Sequence, residues 1–247
     1  MRMVKLLFFF AFGIIGLAAL SSGQKKLQVD TVKTAGGNLA ITFIGHGSLM
    51  FAWGGRIVHV DPYAAMTDYS KLPAADLILI THDHGDHLDP KALQHIRTPD
   101  TRVIIPKAAT GKLEGGFTMN YGEADTVDSI RIEAVPAYNI VNKRPDGTPF
   151  HPRGTGNGYV LTFGDTRVYV AGDTENIPEM KALKNIDIAF LPVNLPYTMS
   201  PEMAADAARA FRPKILYPYH YGETDLSKLK DALGSERDIE IRIRDMK

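Results

Sequence analysis

Within seven consecutive residues, Thr81-His82-Asp83-His84-Gly85-Asp86-His87, three imidazoles and an aspartate stand at the spacing His-x-His-x-Asp-His. Such side chains share one chemical capacity, the donation of a lone pair to a first-row dication. The stretch before them, Ala75 to Ile80, is apolar and β-branched like a buried strand, so the ligands would emerge together at a strand's C-terminal end. Asp and His there have no packing purpose. A metal held for hydrolysis needs neutral imidazoles and carboxylates converging from separate elements, with one coordination position left for water. His151, Asp173 and His220 supply candidates, each in a loop beyond or between expected strands, where rigid scaffolds place functional groups. Of the eight histidines, only His46, His59 and His95 then fall outside the set.

Other residues could support such a site. His46, in Gly45-His46-Gly47-Ser48, and Asp61 follow strand ends and could orient ligands, or could serve as ordinary turn residues. Asn194, Tyr197, Tyr219 and Tyr221 lie near expected ligands and could donate to an oxyanion or a leaving group, with packing as their alternative use. Lys143, Arg144 and Arg153 sit in a Gly-, Pro- and charge-rich loop from Asn139 to Asn157. They could attract an anionic substrate or simply keep that loop solvated.

The elements that must position these groups read as follows. After a polar lead-in through Gly36-Gly37, strands are expected at Leu39 to Ile44, Leu49 to Trp53 and Arg56 to Val60, the last two joined by Gly54-Gly55 in a type I′ hairpin. A short helix with Pro at its first turn follows from Pro90 to Ile96, then a strand from Arg102 to Ile105. The second half echoes the first. Tyr159 to Phe163 and Arg167 to Val170 flank a tight Gly164-Asp165 turn, and Gly172-Asp173-Thr174 follows much as Asp61-Pro62 follows the first hairpin. Ile186 to Leu191 and Lys214 to Pro218 read as strands around a helix that Ser200 caps and Pro201 opens, running to Phe211. Leu226 to Leu233 is a last helix and Ile239 to Ile243 a last strand. Two sheets carrying helices on their outer faces fit this order, and so does one doubly wound α/β sheet.

At 247 residues the chain can bury one full core, and nothing in it resembles a linker between independent domains. With 28 basic and 28 acidic residues and no run of like charge, a nucleic-acid partner is disfavoured. The N-terminus stands apart: Met1 to Lys5 is basic, Leu6 to Leu20 is almost wholly apolar, and Ser21-Ser22-Gly23 supplies small residues. Residues 1–23 thus read as an export signal and 24–247 as the working domain, periplasmic or secreted, with no stable membrane insertion after cleavage. An uncleaved membrane anchor is the alternative, although about 15 apolar residues fall short of the ~20 that span a bilayer. Zero cysteines remove disulfides and thiolate ligands alike and permit an oxidising compartment.

The His-x-His-x-Asp-His run after a strand, the later lone His151, the Gly172-Asp173-Thr174 after a hairpin and His220 near the C-terminus together resemble the metallo-β-lactamase superfamily. More closely the chain is similar to its single-domain metal-dependent hydrolases, the branch that includes ascorbate-phosphate lactonase-like proteins, over about residues 39–223. The resemblance implies an αβ/βα four-layer sandwich of two mixed β-sheets with helices outside and a dinuclear centre at one edge. His82, His84 and His151 would bind one metal, Asp86, His87 and His220 the second, and Asp173 both. A hydroxide held between the ions, with Asp86 and Asp173 in catalytic roles, would attack a small-molecule lactone, ester, amide or phosphodiester. Zinc suits His/Asp ligation best, and manganese or iron accepts the same set. Lack of cysteine sets aside lactamases with a Cys ligand, the Phe150-His151-Pro152 context differs from glyoxalase II-like thioesterases, and His84 in place of Glu disfavours diiron flavoproteins. Two other classes would use the same ligands: a non-catalytic metal-binding or sensor protein, and an iron-dependent redox protein.

Overall fold

The computed structural model describes residues 26–247, so the expected leader and its cleavage point lie outside the described residues. Among the described residues no helix is long and apolar enough to cross a membrane. Seven strands build the first sheet in simple chain order: β1 (Gln28–Thr34), β2 (Gly37–Gly45), β3 (Ser48–Trp53), β4 (Arg56–Val60), β5 (Leu77–Leu79), β6 (Arg102–Ile105) and β7 (Phe117–Thr118). β1 to β4 pair antiparallel and β4 to β7 parallel, with α1 (Pro90–Ile96) crossing from β5 to β6.

The second sheet repeats the plan. β8 (Ala124–Val127), β9 (Ile130–Ala137), β10 (Gly156–Phe163) and β11 (Thr166–Val170) run antiparallel, after which β12 (Ile188–Pro192), β13 (Ile215–Tyr219) and β14 (Glu240–Ile241) add in parallel. The crossovers carry α2 (Pro178–Lys181), α3 (Pro201–Phe211) and α4 (Ser227–Leu233). Two seven-stranded mixed sheets settle the choice left open by periodicity against a single doubly wound sheet.

Side-chain alternation decides the layers. In β5, Leu77 and Leu79 join the core between the sheets, whereas Ile78, with Ile80 just beyond, packs outward on Ala92, Leu93 and Ile96 of α1. Aromatic rings fill the space between the sheets: Phe43 lies 5.0 Å from Tyr217, Phe51 5.6 Å from Phe163, and Phe190 stacks on Tyr217 at 5.0 Å. Burial of each such ring stabilises the fold by roughly 1.5–3 kcal/mol. On the far face Phe211 of α3 meets Tyr169 edge-on. Helix, sheet, sheet and helices therefore form four layers in one α/β sandwich.

Gly54 and Gly55 both have positive φ, 58° and 78°, as a type I′ turn demands. Ser200 caps α3 by accepting from Met203 N, with Pro201 at the first turn. Three expectations need correction. The lead-in before Gly36 is β1, an edge strand that β2 templates; β7, β8, β9 and α2 add elements outside the expected set; and β10 begins at Gly156, inside the expected loop.

Candidate metal centre

The ligand-bearing turn is fixed from both sides. β5 delivers Thr81, whose N–H donates to Asp61 Oδ1 at 2.7 Å and whose hydroxyl donates to Asp61 Oδ2 at 2.6 Å. Downstream, His87 N and Leu88 N both donate to His84 O, and Asp89 caps α1 by accepting from Lys91 N at 2.8 Å. Between these anchors the chain must turn tightly and aim its side chains one way. Asp61 follows β4 and is fully buried; its Oδ2 also accepts from His87 Nδ1 at 2.8 Å. Burial pushes its carboxyl up, against the pull of His87 and Thr81.

Hydrogen bonds dictate which nitrogen each imidazole offers. Thr81 Oγ1 spends its only proton on Asp61, so at 3.0 Å from His82 Nδ1 it accepts. Asn139 donates through Nδ2 to Tyr197 O and Glu175, so its Oδ1 accepts from His151 Nδ1 at 2.8 Å. In their neutral forms His82, His87 and His151 thereby carry the proton on Nδ1 and present Nε2 as the lone pair, that of His82 also lying 3.0 Å from His84 Nδ1.

Those lone pairs converge on Asp173. Its Oδ2 lies 3.4 Å from His151 Nε2, 3.5 Å from His220 Nε2 and 3.9 Å from His82 Nε2, and its Oδ1 lies 3.7 Å from His87 Nε2. Gly172 makes this approach possible: a Cβ there would meet Thr81 Cβ and Asn157 O at 2.9 Å, and its φ of +66° suits glycine. Although burial opposes it, the surrounding imidazoles hold the Asp173 carboxyl far below the usual carboxylate range. Burial likewise opposes a charged His87, yet Asp173 and Asp61 outweigh it and raise His87 to about 9. Burial wins at His220, lowered to about 4, and at His82 and His151, both lowered.

Among the described residues, His87 Nε2, Asp173 Oδ1 and both ring nitrogens of His220 are buried without a hydrogen-bond partner. Such orphans cost on the order of 1–3 kcal/mol each. Their concentration around one carboxylate fits a site whose missing partner is a cation. Three sets have ligand atoms within 4.8 Å of one another: His82 with His84 and His151; His82 with His87 and Asp173; and His46 with Asp86, His87 and His220.

The structure thus brings together all seven residues singled out as ligands, His82, His84, Asp86, His87, His151, Asp173 and His220, and adds His46. His46 lies in the β2–β3 turn with Nε2 3.0 Å from Asp86 Oδ2 and its ring 3.7 Å from that of His220. Against burial, the bond to His46 and the charge of His87 keep the Asp86 carboxyl low. The β2–β3 turn is the first-sheet counterpart of the β9–β10 loop that carries His151, and Asp61 after β4 that of Asp173 after β11. His59 and His95 stay apart, one buried with Nε2 donating to Pro73 O, the other exposed on α1.

A cavity of about 240 Å³ opens beside the ligands, with Arg144, Phe150, Asn194 and Tyr197 completing its wall. Of the two uses open to Tyr219 and Tyr221, the structure shows the packing one, and neither lines the cavity. The Tyr219 hydroxyl accepts from Gly172 N at 2.8 Å and steadies the Asp173 loop, while the Tyr221 hydroxyl donates to Arg244 O. Arg153 pairs with Glu179 at 2.7 Å, and Lys143 faces solvent. Sequence reasoning missed Asn139 and Glu175. Glu175, wholly buried, accepts from the backbone N–H of Ile140, Val141 and Asn142 at 2.7 Å each and so pins the loop that presents His151. The polar run Asp173-Thr174-Glu175 after a buried strand was the one available signal for it.

Comparisons with known proteins agree with this fold. The family model of the β-lactamase superfamily domain matches residues 40–220. A UPF0173 metal-dependent hydrolase from Thermococcus onnurineus is 32% identical over 81% of this chain and 94% of its own, and one from Methanopyrus kandleri 33% identical over 74% and 84%. A crystal structure from Parabacteroides distasonis, described provisionally as a metal-dependent hydrolase, superposes with a TM-score of 0.85 at 54% identity, covering 90% of this chain and all of that one. Igni18, a metallo hydrolase from Ignicoccus hospitalis, gives a TM-score of 0.69 at 25% identity over 84% and 95%.

Proposed function

The chain belongs to the β-lactamase superfamily and to its metal-dependent hydrolases, and from that premise we propose that it holds two divalent ions and cleaves a small-molecule lactone, ester, amide or phosphodiester outside the cytoplasm. The carrying observation is the position of Asp173, one carboxylate facing four imidazoles drawn from three different segments. His82, His84 and His151 would hold one ion, Asp86, His87 and His220 the other, with Asp173 shared. Ions held there would supply a Lewis acid and lower the pKa of water toward neutrality. The donor set, imidazole and carboxylate without thiolate, suits zinc and accepts manganese or iron.

The protein's own part is to keep this site preorganised and small. Asp61 and Asn139 lock three imidazoles in one tautomer, and Glu175 immobilises the loop over the cavity. Asp86 spends one oxygen on His46. Asn194 and Tyr197 hold an amide and a phenol on the cavity wall, and among the described residues no hydrogen bond engages either side-chain head. These are the donors available to a leaving group. The cavity admits a small molecule, and nothing in the charge pattern favours nucleic acid.

Metal content per chain, measured on protein purified without added metal beside His84→Ala, tests the centre. About two ions per chain, reduced in the variant together with hydrolysis of generic esters or phosphodiesters, are expected. Metal bound in full with no turnover of any of these substrates would instead make it a binding or sensor protein. Export is tested by N-terminal sequencing of protein from the extracytoplasmic fraction. Cleavage near Gly23 is expected, and an intact cytosolic chain overturns it.

A further inference from the structure

The cavity wall holds more than the ligands, and its remaining residues share a chemistry. Of the seven exposed large apolar side chains among the described residues, four (Ile140, Val141, Leu195 and Tyr197) belong to the β9–β10 and β12–α3 loops that flank the site. These two loops are sewn together: Asn139 Nδ2 donates to Tyr197 O at 2.9 Å and Asn142 Nδ2 to Thr198 O at 3.2 Å. Phe150 meets Tyr197 edge to face with centroids 5.1 Å apart, and both rings line the cavity. Exposed apolar groups on a pinned loop keep their surface wet at a cost, and a ligand relieves that cost.

Arg144 stands beside these rings. Its guanidinium lies over Phe150 at 5.1 Å from the centroid, bonds to Phe150 O at 3.3 Å and lines the cavity. Among the described residues it has no carboxylate within ion-pair distance, in contrast to Arg153 of the same loop, which is satisfied by Glu179. A guanidinium held over a ring is pre-oriented yet keeps N–H donors to spare, the arrangement that grips an oxyanion.

Resting on the hydrolase reading, we propose that the substrate is an amphiphilic anion: a carboxylate or phosphate gripped by Arg144, with an apolar aryl or acyl arm laid on Phe150, Tyr197 and the neighbouring loop tips. The anion fixes which end enters. The arm then lies on the loops while the scissile group reaches the metal ligands.

Binding, not turnover, tests this, so its failure stays separate from that of the hydrolase reading. Calorimetric titration of metal-loaded protein compares 4-phenylbutyrate and phenyl phosphate with the neutral 4-phenylbutanamide, in the wild type, Arg144→Gln and Phe150→Ala. The anions should bind about tenfold or more tighter than the amide. Arg144→Gln should erase that gap and leave amide binding in place, and Phe150→Ala should weaken all three by a larger factor than it weakens acetate. The factor that Arg144→Gln removes from each anion, compared between the two, shows which headgroup the guanidinium favours. A gap that survives Arg144→Gln would assign anion binding to the metal site alone, and ring-bearing ligands no tighter than acetate would remove the apolar arm; either result overturns the proposal.

Discussion

Asp61 touches no cavity, yet it governs two histidines, His87 directly and His82 through Thr81. Asp61→Asn keeps the volume but sets an amide N–H against a hydroxyl or imidazole proton already pointing at it. Metal affinity should fall about 10- to 100-fold with the far-UV spectrum unchanged, as measured by competition with a chromophoric chelator. An unaltered affinity would mean that the ligands orient themselves. Asn139→Ala makes the same argument for His151: freed from Asn139 Oδ1, its ring should populate both tautomers, visible in the ¹⁵N spectrum of histidine-labelled, metal-free protein, where the wild type should show Nδ1–H alone. The His and Asp cluster was legible in the sequence because such residues grouped at a buried strand's end have no packing purpose. Their supports were not. Asn139 and Glu175 stand 12 and 33 or more residues from the groups they hold, and only the folded loops bring them together.

At the scale of elements, legibility followed burial. β4, β6 and α1 fall where apolar pattern and punctuation place them, since each buries a face or carries Pro at its start. β1 does not, because Gln28–Thr34 is largely solvent-facing at a sheet edge and takes its register from β2 alone. β9 alternates as Ile130-Arg131-Ile132-Glu133-Ala134, a readable strand that Pro136 disguises. Packing explains which changes should matter. Phe190→Ala empties the ring cluster joining β2, β3, β12 and β13 and should cost about 3–5 kcal/mol in urea unfolding. His59 on β4 carries a pH effect of known sign. Burial lowers it from 6.5 to about 4, so the unfolded chain takes up the proton first. Its contribution is complete above pH 6.5 and is lost as pH falls toward 4, reaching about 3 kcal/mol in all. His59→Gln, which can still donate to Pro73 O, should make the stability profile of metal-free protein shallower across that window, with the lowered His82, His151 and His220 keeping the remaining slope; an unchanged slope would show that His59 protonates freely in the fold.

For the whole molecule, the two sheets repeat one plan of four antiparallel and three parallel strands, and the centre lies where the repeats meet. The first half contributes His82, His84, Asp86 and His87 from one turn after β5, and the second contributes His151, Asp173 and His220 from three separate connections. An ion bound by the turn alone would favour the folded chain little, because an unfolded segment retains the same closely spaced histidines. An ion that also needs Asp173, His151 and His220 binds only after both sheets have closed on their shared aromatic core. Metal should therefore act as a clamp. With free metal at a hundred times its Kd, each site should add about 2.7 kcal/mol, raising the Tm by roughly 5–10 °C for a chain of this size. Chelation should remove the gain. Asp173→Asn, which weakens the one carboxylate that the two proposed ion sets would share, should bind less metal and show only a fraction of the shift. The comparison separates two couplings: full metal binding with no rise in Tm would place the ions on the β5 turn alone and leave the second half uncoupled from them, whereas a Tm that tracks free metal and loses most of its response in Asp173→Asn makes one carboxylate the link between the halves.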